Sequence, residues 1–75
     1  MIRVTVGNNA GSVTVIISED TTLRQALEDN GVEYSTGDMR LDGTPLKPGD
    51  LDKTFADFGI KEQTFLLNIA KANNA

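Results

Sequence analysis

The sequence predicts an α+β domain in which one helix packs across one face of a mixed sheet of four to five strands. Three observations predict this fold class. Two alternating segments flank a turn rich in Gly and Asn, a short helical segment follows them, and the second half holds short strands and turns before a final alternating strand. The predicted order of elements is β-β-α-β-β-β.

The first two elements are predicted to form an antiparallel hairpin. Residues 2–6 and 13–17 place β-branched apolar side chains at alternate positions, which is typical of half-buried strands. Residues 7–12 include two Gly and two Asn, which tolerate positive φ angles. The chain is therefore expected to reverse direction within that segment.

A helix is predicted over residues 23–30. Thr22 and Gln25 have the spacing of a capping box, in which Thr22 is the N-cap and Gln25 reaches back to its backbone amide. Leu23 and Leu27 fall on one helical face, and Gly31 is a natural left-handed residue after the helix. Because so short a helix is marginal in water, it is expected to depend on packing against the sheet.

The second half is predicted to contain three more strands. Residues 38–42 alternate, and Asp42-Gly43 is typical of a type I′ hairpin turn. Pro45 lacks an amide hydrogen, so the short strand that contains Leu46 is expected at an edge of the sheet. Thr54 is expected to cap one helical turn that ends at Gly59, and residues 64–69 form the last strand.

These patterns divide the apolar residues between two faces of the sheet. The face under the helix is predicted to hold the core: Ile2, Val4, Val6, Val13, Val15, Ile17, Leu23, Ala26, Leu27, Met39, Leu41, Leu46, Phe55, Phe58, Ile60, Phe65, Leu67 and Ile69. The opposite face has no predicted element to cover it and comprises Arg3, Thr5, Thr14, Ile16, Asp38, Arg40, Leu66 and Asn68.

Composition excludes several classes of function. The 75 residues suffice for one domain, and they include no Cys and no His. A disulfide framework, a thiolate metal site and a nucleophile–base pair built on these residues are therefore excluded, so we expect no enzyme, no cofactor and no metal site. The net charge of −4 and the scattered bases argue against nucleic acid and anionic membranes as partners.

Other sequence features point to an ordinary cytoplasmic domain, which we expect to be a monomer. The apolar stretches are too short to span a bilayer, and the first residues lack a signal pattern. Asp50, Asp52 and Asp57 could be ligands of a hard cation, but acids in solvated turns are the simpler interpretation. Residues 7–11 could be called a phosphate loop, although a turn between two strands explains them better.

The sequence resembles the ubiquitin-like β-grasp family over nearly its whole length. Residues 54–60 with 61–65 resemble the family's turn and final strand, and residues 20–23 resemble the start of its helix. Asp42-Gly43 lies where the family has a hairpin turn. The resemblance implies a ubiquitin-like domain over residues 1–70, followed by a short polar tail over residues 71–75.

The resemblance also implies what kind of function to expect. Members that are conjugated or carry sulfur act through a tail that ends in Gly-Gly, whereas this sequence ends in Asn73-Asn74-Ala75. Iron–sulfur ferredoxins of the same fold need four Cys. A non-conjugated protein-interaction module is therefore expected. The alternative is a sulfur carrier or protein modifier whose Gly-Gly tail is missing or exposed only in another form.

The uncovered face supplies the candidate binding site. Ile16 and Leu66 are large apolar residues that are predicted to point outward there, and such a patch favours a protein interface. The alternative is that both residues pack on Thr5 and merely favour the strand conformation. The residues predicted to surround them are Arg3, Thr5, Arg40 and Asn68. The two arginines are expected to orient an acidic partner.

Overall fold

The computed structural model describes residues 1–69 and contains one helix and a five-stranded sheet. The elements are β1 Ile2–Asn8, β2 Gly11–Ile17, α1 Leu23–Asp29, β3 Asp38–Leu41, β4 Thr44–Pro45 and β5 Gln63–Ile69. Two 3₁₀ turns, Pro48–Asp52 and Ala56–Phe58, precede β5. The boundary predicted after residue 70 and the polar tail lie outside the described residues, as does the Asn73-Asn74-Ala75 ending.

The strands are arranged in the order β2-β1-β5-β3-β4. The antiparallel hairpin of β1 and β2 runs from the pair Ile2–Ile17 to the pair Asn8–Gly11, so its turn has only two residues. β5 is parallel to β1 and antiparallel to β3, which places the final strand in the middle of the sheet. The predicted fold class and element order are confirmed.

The helix begins as predicted and ends one residue earlier, at Asp29. Thr22 is the N-cap, because its Oγ1 accepts a hydrogen bond of 3.1 Å from the backbone amide of Gln25. The Gln25 side chain does not complete the predicted capping box; its Nε2 donates to Asp29 Oδ1 at 2.7 Å instead. The helix buries Leu23, Ala26 and Leu27 against the sheet, and these contacts hold it in place.

The core under the helix contains most of the predicted residues. The fully buried large side chains are Phe55, Ile2, Leu23, Leu27, Leu66, Val4 and Val6. Val32 and Leu51 are also buried, and neither was in the predicted core. Val13 was expected to be buried but is 48% exposed. It lies on an edge strand, and α1 packs over β1 and the Pro48–Asp52 turn and leaves Val13 uncovered.

The predicted orientation of β5 is wrong. Leu66 and Asn68, expected on the uncovered face, are 0% and 7% exposed, whereas Phe65, expected in the core, is 50% exposed. Leu67 and Ile69 are half-buried on the uncovered side. The reason is the parallel register with β1, which sets Leu66 beside Val6 on the helix side of the sheet.

The turns of the second half form largely as predicted. Asp42 and Gly43 have φ angles of 52° and 84°, the left-handed values that a type I′ turn requires. β4 ends at Pro45, just before Leu46, whose amide donates to the Met39 carbonyl at 2.9 Å. Thr54 Oγ1 accepts from the Asp57 amide at 3.1 Å, and Asp57 Oδ2 accepts from the Thr54 amide at 2.9 Å.

Candidate protein-binding surface

The face of the sheet opposite α1 carries a mixed apolar and basic surface. We call it the open face and define it by side chains on four strands: Arg3, Thr5, Thr14, Ile16, Arg40, Phe65 and Leu67. Four of them, Arg3, Thr5, Ile16 and Arg40, were predicted from the sequence as site residues. Phe65 and Leu67 take the places that Leu66 and Asn68 were expected to occupy.

The two most exposed apolar side chains of the open face lie on either side of β1. Ile16 is 58% exposed and Phe65 is 50% exposed. Two residues of β1 lie between them, since Arg3 pairs with Ile16 and Thr5 pairs with Phe65. Thr5 also pairs with Thr14 on β2, and the two threonine Oγ1 atoms are 2.9 Å apart. Neighbouring strands are about 4.8 Å apart and the rise is about 3.3 Å per residue, so Ile16 and Phe65, two strands apart and offset by two residues, are roughly 12 Å apart.

The turn after β3 fixes the backbone of Phe65. The amide of Asp42 donates to the Phe65 carbonyl at 2.9 Å, and the amide of Phe65 donates to Asp42 Oδ1 at 2.9 Å. The Asp42 carboxylate therefore takes the place of a backbone carbonyl beyond the end of β3. This pair of bonds holds Phe65 at the centre of the open face with its ring half in solvent.

Leu67 lies between a glycine and an arginine. Its neighbours across the strands are Gly7 on β1 and Arg40 on β3. A Cβ atom at Gly7 would be 2.4 Å from the carbonyl oxygen of Gly11, so a side chain does not fit there without a shift of the backbone. Leu67 consequently has no side chain beside it on β1, and this part of the open face is shallow.

The charge of the open face contrasts with that of the whole chain. The chain has a net charge of −4, yet two arginines lie on this face, with Arg3 paired opposite Ile16. Arg40 lies beside Leu67, and its Nη1 donates to the Gly43 carbonyl at 3.4 Å. Asp38 is the acidic residue at the far end, opposite Ile69. The apolar centre is therefore flanked by positive charge.

Asn68 has a structural role in place of the predicted binding role. Its side-chain amide donates to the carbonyls of Glu33 and Thr36, the latter at 2.9 Å, and so ties the loop before β3 to the central strand. The local sequence of β5 does not indicate which of its faces is buried, because each face carries apolar side chains. One face has Phe65, Leu67 and Ile69, and the other has Leu66. Only the register with β1 decides between them.

A cleft of about 460 Å³ lies on the other side of the molecule, between α1, β3 and the Pro48–Asp52 turn. Arg24 lines this cleft and already has two partners. Its Nε donates a hydrogen bond to Asp52 Oδ1 at 2.9 Å, and its guanidinium carbon lies 5.2 Å from the centre of the Tyr34 ring. The hydrogen bond to Asp52 raises the pKa of Arg24 above its ordinary value. These contacts join α1 to its neighbouring loops.

The three aspartates considered as cation ligands each have another role. Asp50 accepts from the Lys47 amide at 3.0 Å, which lowers its pKa; Asp52 pairs with Arg24, and Asp57 caps the Thr54 turn. Among residues 1–69, no three acidic side chains come close enough together to hold a metal ion. Over the same residues, no helix is long and apolar enough to cross a membrane.

Solved structures show which fold this is. The ubiquitin-like domain of an Arabidopsis thaliana protein, determined by solution NMR, matches with a TM-score of 0.66 and 19% identity over 99% of this chain and 81% of that one. A second determination of that domain, from sparse NMR data and evolutionary couplings, matches with a TM-score of 0.60 and 23% identity over 97% of this chain and 89% of that one. The fold is the ubiquitin-like β-grasp. No family model matches the sequence, and no curated protein matches it.

Proposed function

We propose that this ubiquitin-like domain is a non-conjugated interaction module that binds a protein partner through the open face. The observation that carries the proposal is the half-exposed ring of Phe65 at the centre of an uncovered sheet face, with Ile16 and Leu67 nearby. Apolar and aromatic side chains that become desolvated on binding supply most of the affinity of protein interfaces. A partner that covers Phe65 and Ile16 would gain binding free energy from the burial of both side chains.

The charges of the open face indicate the chemistry of the partner. Arg3 and Arg40 flank the apolar centre, so the surface fits an apolar segment with acidic residues around it. Charges at the rim of an interface mainly raise the association rate and contribute less to affinity. The proposed partner is thus recognised by apolar contact and oriented by its acidic residues.

The same proposal leaves no catalytic role for the chain itself. Without His or Cys in the sequence, the usual nucleophile–base pairs cannot be assembled, so we infer a binding protein that acts through its partner. Its proposed location is the cytoplasm. Ubiquitin-like folds serve many functions, and the inference therefore rests on this surface and these residues, not on the fold.

Amide chemical-shift mapping with a captured partner tests the proposed site. The expected shifts centre on Ile16, Arg40, Phe65 and Leu67. The Phe65→Ser variant should lose binding while it keeps the fold, because the ring is half in solvent. Shifts confined to α1, with the open face unchanged, would overturn the proposal.

A pair of charge reversals tests the role of the arginines. Arg3→Glu should slow association severalfold and weaken its dependence on salt. Lys47→Glu makes the same change of charge at an exposed residue outside the open face, so it is the matched control. Equal effects of the two variants would mean that net charge, and not the open face, governs association.

A further inference from the structure

We propose that two copies of this chain associate edge to edge through β2, in antiparallel register about a two-fold axis at Thr14. The resulting dimer would contain one continuous sheet of ten strands. This proposal concerns the backbone edge of β2, which borders the proposed partner site at Thr14 and Ile16 and leaves Arg40, Phe65 and Leu67 accessible. It replaces the monomer that the sequence alone led us to expect.

The two edges of the sheet are protected to very different degrees. β4 has two residues, one of which is Pro45, and both features hinder the addition of another strand. β2 has seven residues, Gly11–Ile17, with neither a charged side chain nor a proline among them. Long, uncharged edge strands are the ones that pair with another chain.

The side chains of β2 are exposed on both faces of the sheet. Val13 is 48% exposed on the helix side, and Ile16 is 58% exposed on the open face. A strand added at this edge would cover part of both. Apolar burial therefore favours pairing on the two sides at once.

The hairpin determines which backbone groups are available at the edge. With a two-residue turn, Asn8 and Gly11 form the closing hydrogen-bonded pair, and the bonded pairs then alternate along an antiparallel ladder. The amide and carbonyl groups of Ser12, Thr14 and Ile16 consequently point away from β1. A neighbouring strand would receive its hydrogen bonds from these three residues.

The β2 strand is complementary to itself in the proposed register. With Thr14 opposite Thr14 of the second copy, all seven residues overlap, Ser12 faces Ile16, and Val13 faces Val15. No like charges are brought together, and β-branched side chains pack well across antiparallel strands. A two-fold interface of this kind uses the same surface of both copies.

The distribution of acidic residues argues for a second copy as the occupant of this edge. All eleven acids lie between Glu19 and Glu62, and the β1–β2 hairpin carries Arg3 as its one charged residue. Two chains of net charge −4 repel each other, but pairing through β2 brings together the two hairpins, which carry no acid. Association through β4 would instead bring Asp42 and Asp50 of the two copies towards each other.

Analytical ultracentrifugation of the full chain and two matched variants tests the dimer. Wild-type protein should change from monomer to dimer as its concentration rises. Thr14→Lys places two ammonium groups together at the two-fold axis and should weaken the dimer at least tenfold. Thr44→Lys makes the same substitution at an exposed residue of the other edge strand and should leave the dimer unchanged.

Hydrogen exchange of the wild-type protein supplies a second measurement that does not depend on variants. The amides of Ser12, Thr14 and Ile16 should exchange more slowly at high concentration than at low concentration, whereas Val13 and Val15, bonded within the hairpin, should not change. Wild-type protein that remains monomeric up to about millimolar concentration would overturn the proposal. So would a dimer that Thr14→Lys and Thr44→Lys weaken equally.

Discussion

Phe65 and Leu66 are neighbours in the chain that serve opposite sides of the sheet. Leu66 is fully buried beside Val6, and Phe65 is half exposed beside Thr5. One residue therefore contributes to the core and the next to the open face. Because strand side chains alternate strictly, a slip of one residue in β5 would exchange the two roles.

Alanine substitutions at these two positions should have very different effects on stability. Leu66→Ala removes a fully buried side chain and should cost about 2–5 kcal/mol of unfolding free energy. Phe65→Ala removes a ring that is half in solvent and should cost well under half as much, about 1 kcal/mol or less. Urea unfolding of both variants checks this; equal losses would show that β5 is not oriented as described.

Glu33 makes stability depend on pH on the acidic side. Its Oε1 accepts hydrogen bonds from the Ser35 hydroxyl at 2.7 Å and from the amides of Ser35 and Tyr34 at 2.9 and 3.0 Å, which hold the pKa of Glu33 below its ordinary value of 4.5. The folded state then binds fewer protons than the unfolded state below that value. The contribution of Glu33 to stability is therefore complete above pH 4.5 and is lost as the pH decreases through its folded-state pKa.

The Glu33→Gln variant tests this dependence. It cannot lose a proton, so its unfolding free energy should change less between pH 5 and about pH 3 than that of the wild type. Urea titrations at several pH values provide the measurement. Glu62→Gln, at an exposed residue outside this loop, is the control, and a flattened profile for it alone would contradict the role given to Glu33.

Among the elements, those specified by local chemistry were the ones that could be predicted. The cap at Thr22, the Asp42-Gly43 turn and the β1–β2 hairpin each depend on residues a few positions apart. The face of β5 depends on its pairing with β1, where Val6 meets Leu66 across most of the chain. The sequence pattern allows either face, so the outward-facing side chains were predicted correctly on β1, β2 and β3 but wrongly on β5, where Leu66 and Asn68 are buried.

The turn at Asp42 joins a backbone requirement to a side-chain requirement, and two variants distinguish these requirements together from the charge of the carboxylate. Asp42→Ala loses both the tolerance for positive φ and the acceptor for the Phe65 amide, so it should cost about 1–3 kcal/mol. Asp42→Asn keeps both and should cost about 1 kcal/mol or less, because an amide oxygen is a weaker acceptor than a carboxylate. Urea midpoints report the stability of each variant, and the amide shift of Phe65 reports its hydrogen bond to residue 42. Equal losses would mean that the acceptor charge alone matters.

For the whole molecule, the central position of β5 determines cooperativity. β1 and β3 each pair with β5 and are not neighbours of one another in the sheet. The hairpin at one side and the β3–β4 pair at the other are therefore joined through the last strand. Loss of β5 would divide the sheet into two separate parts, so global unfolding should begin when this strand detaches.

Native-state hydrogen exchange should show this hierarchy. The bonded amides of β1 and β5 should exchange most slowly, with opening free energies close to the global value, and those of β4 should exchange fastest among the strands. Measurements at low denaturant and low protein concentration would distinguish the two groups. Faster exchange in β5 than in β4 would contradict the central role of β5.

The position of β5 also affects how the domain folds as it is synthesised. The ribosome delivers residues 63–69 after the other four strands of this sheet, so β1 and β3 leave the tunnel without the strand that joins them. During that interval Val6 and Leu41 lack Leu66 as their neighbour in the sheet, and two strand edges are open to other nascent chains. Because the sheet cannot close before β5 emerges, folding of this domain must finish after those residues have left the ribosome.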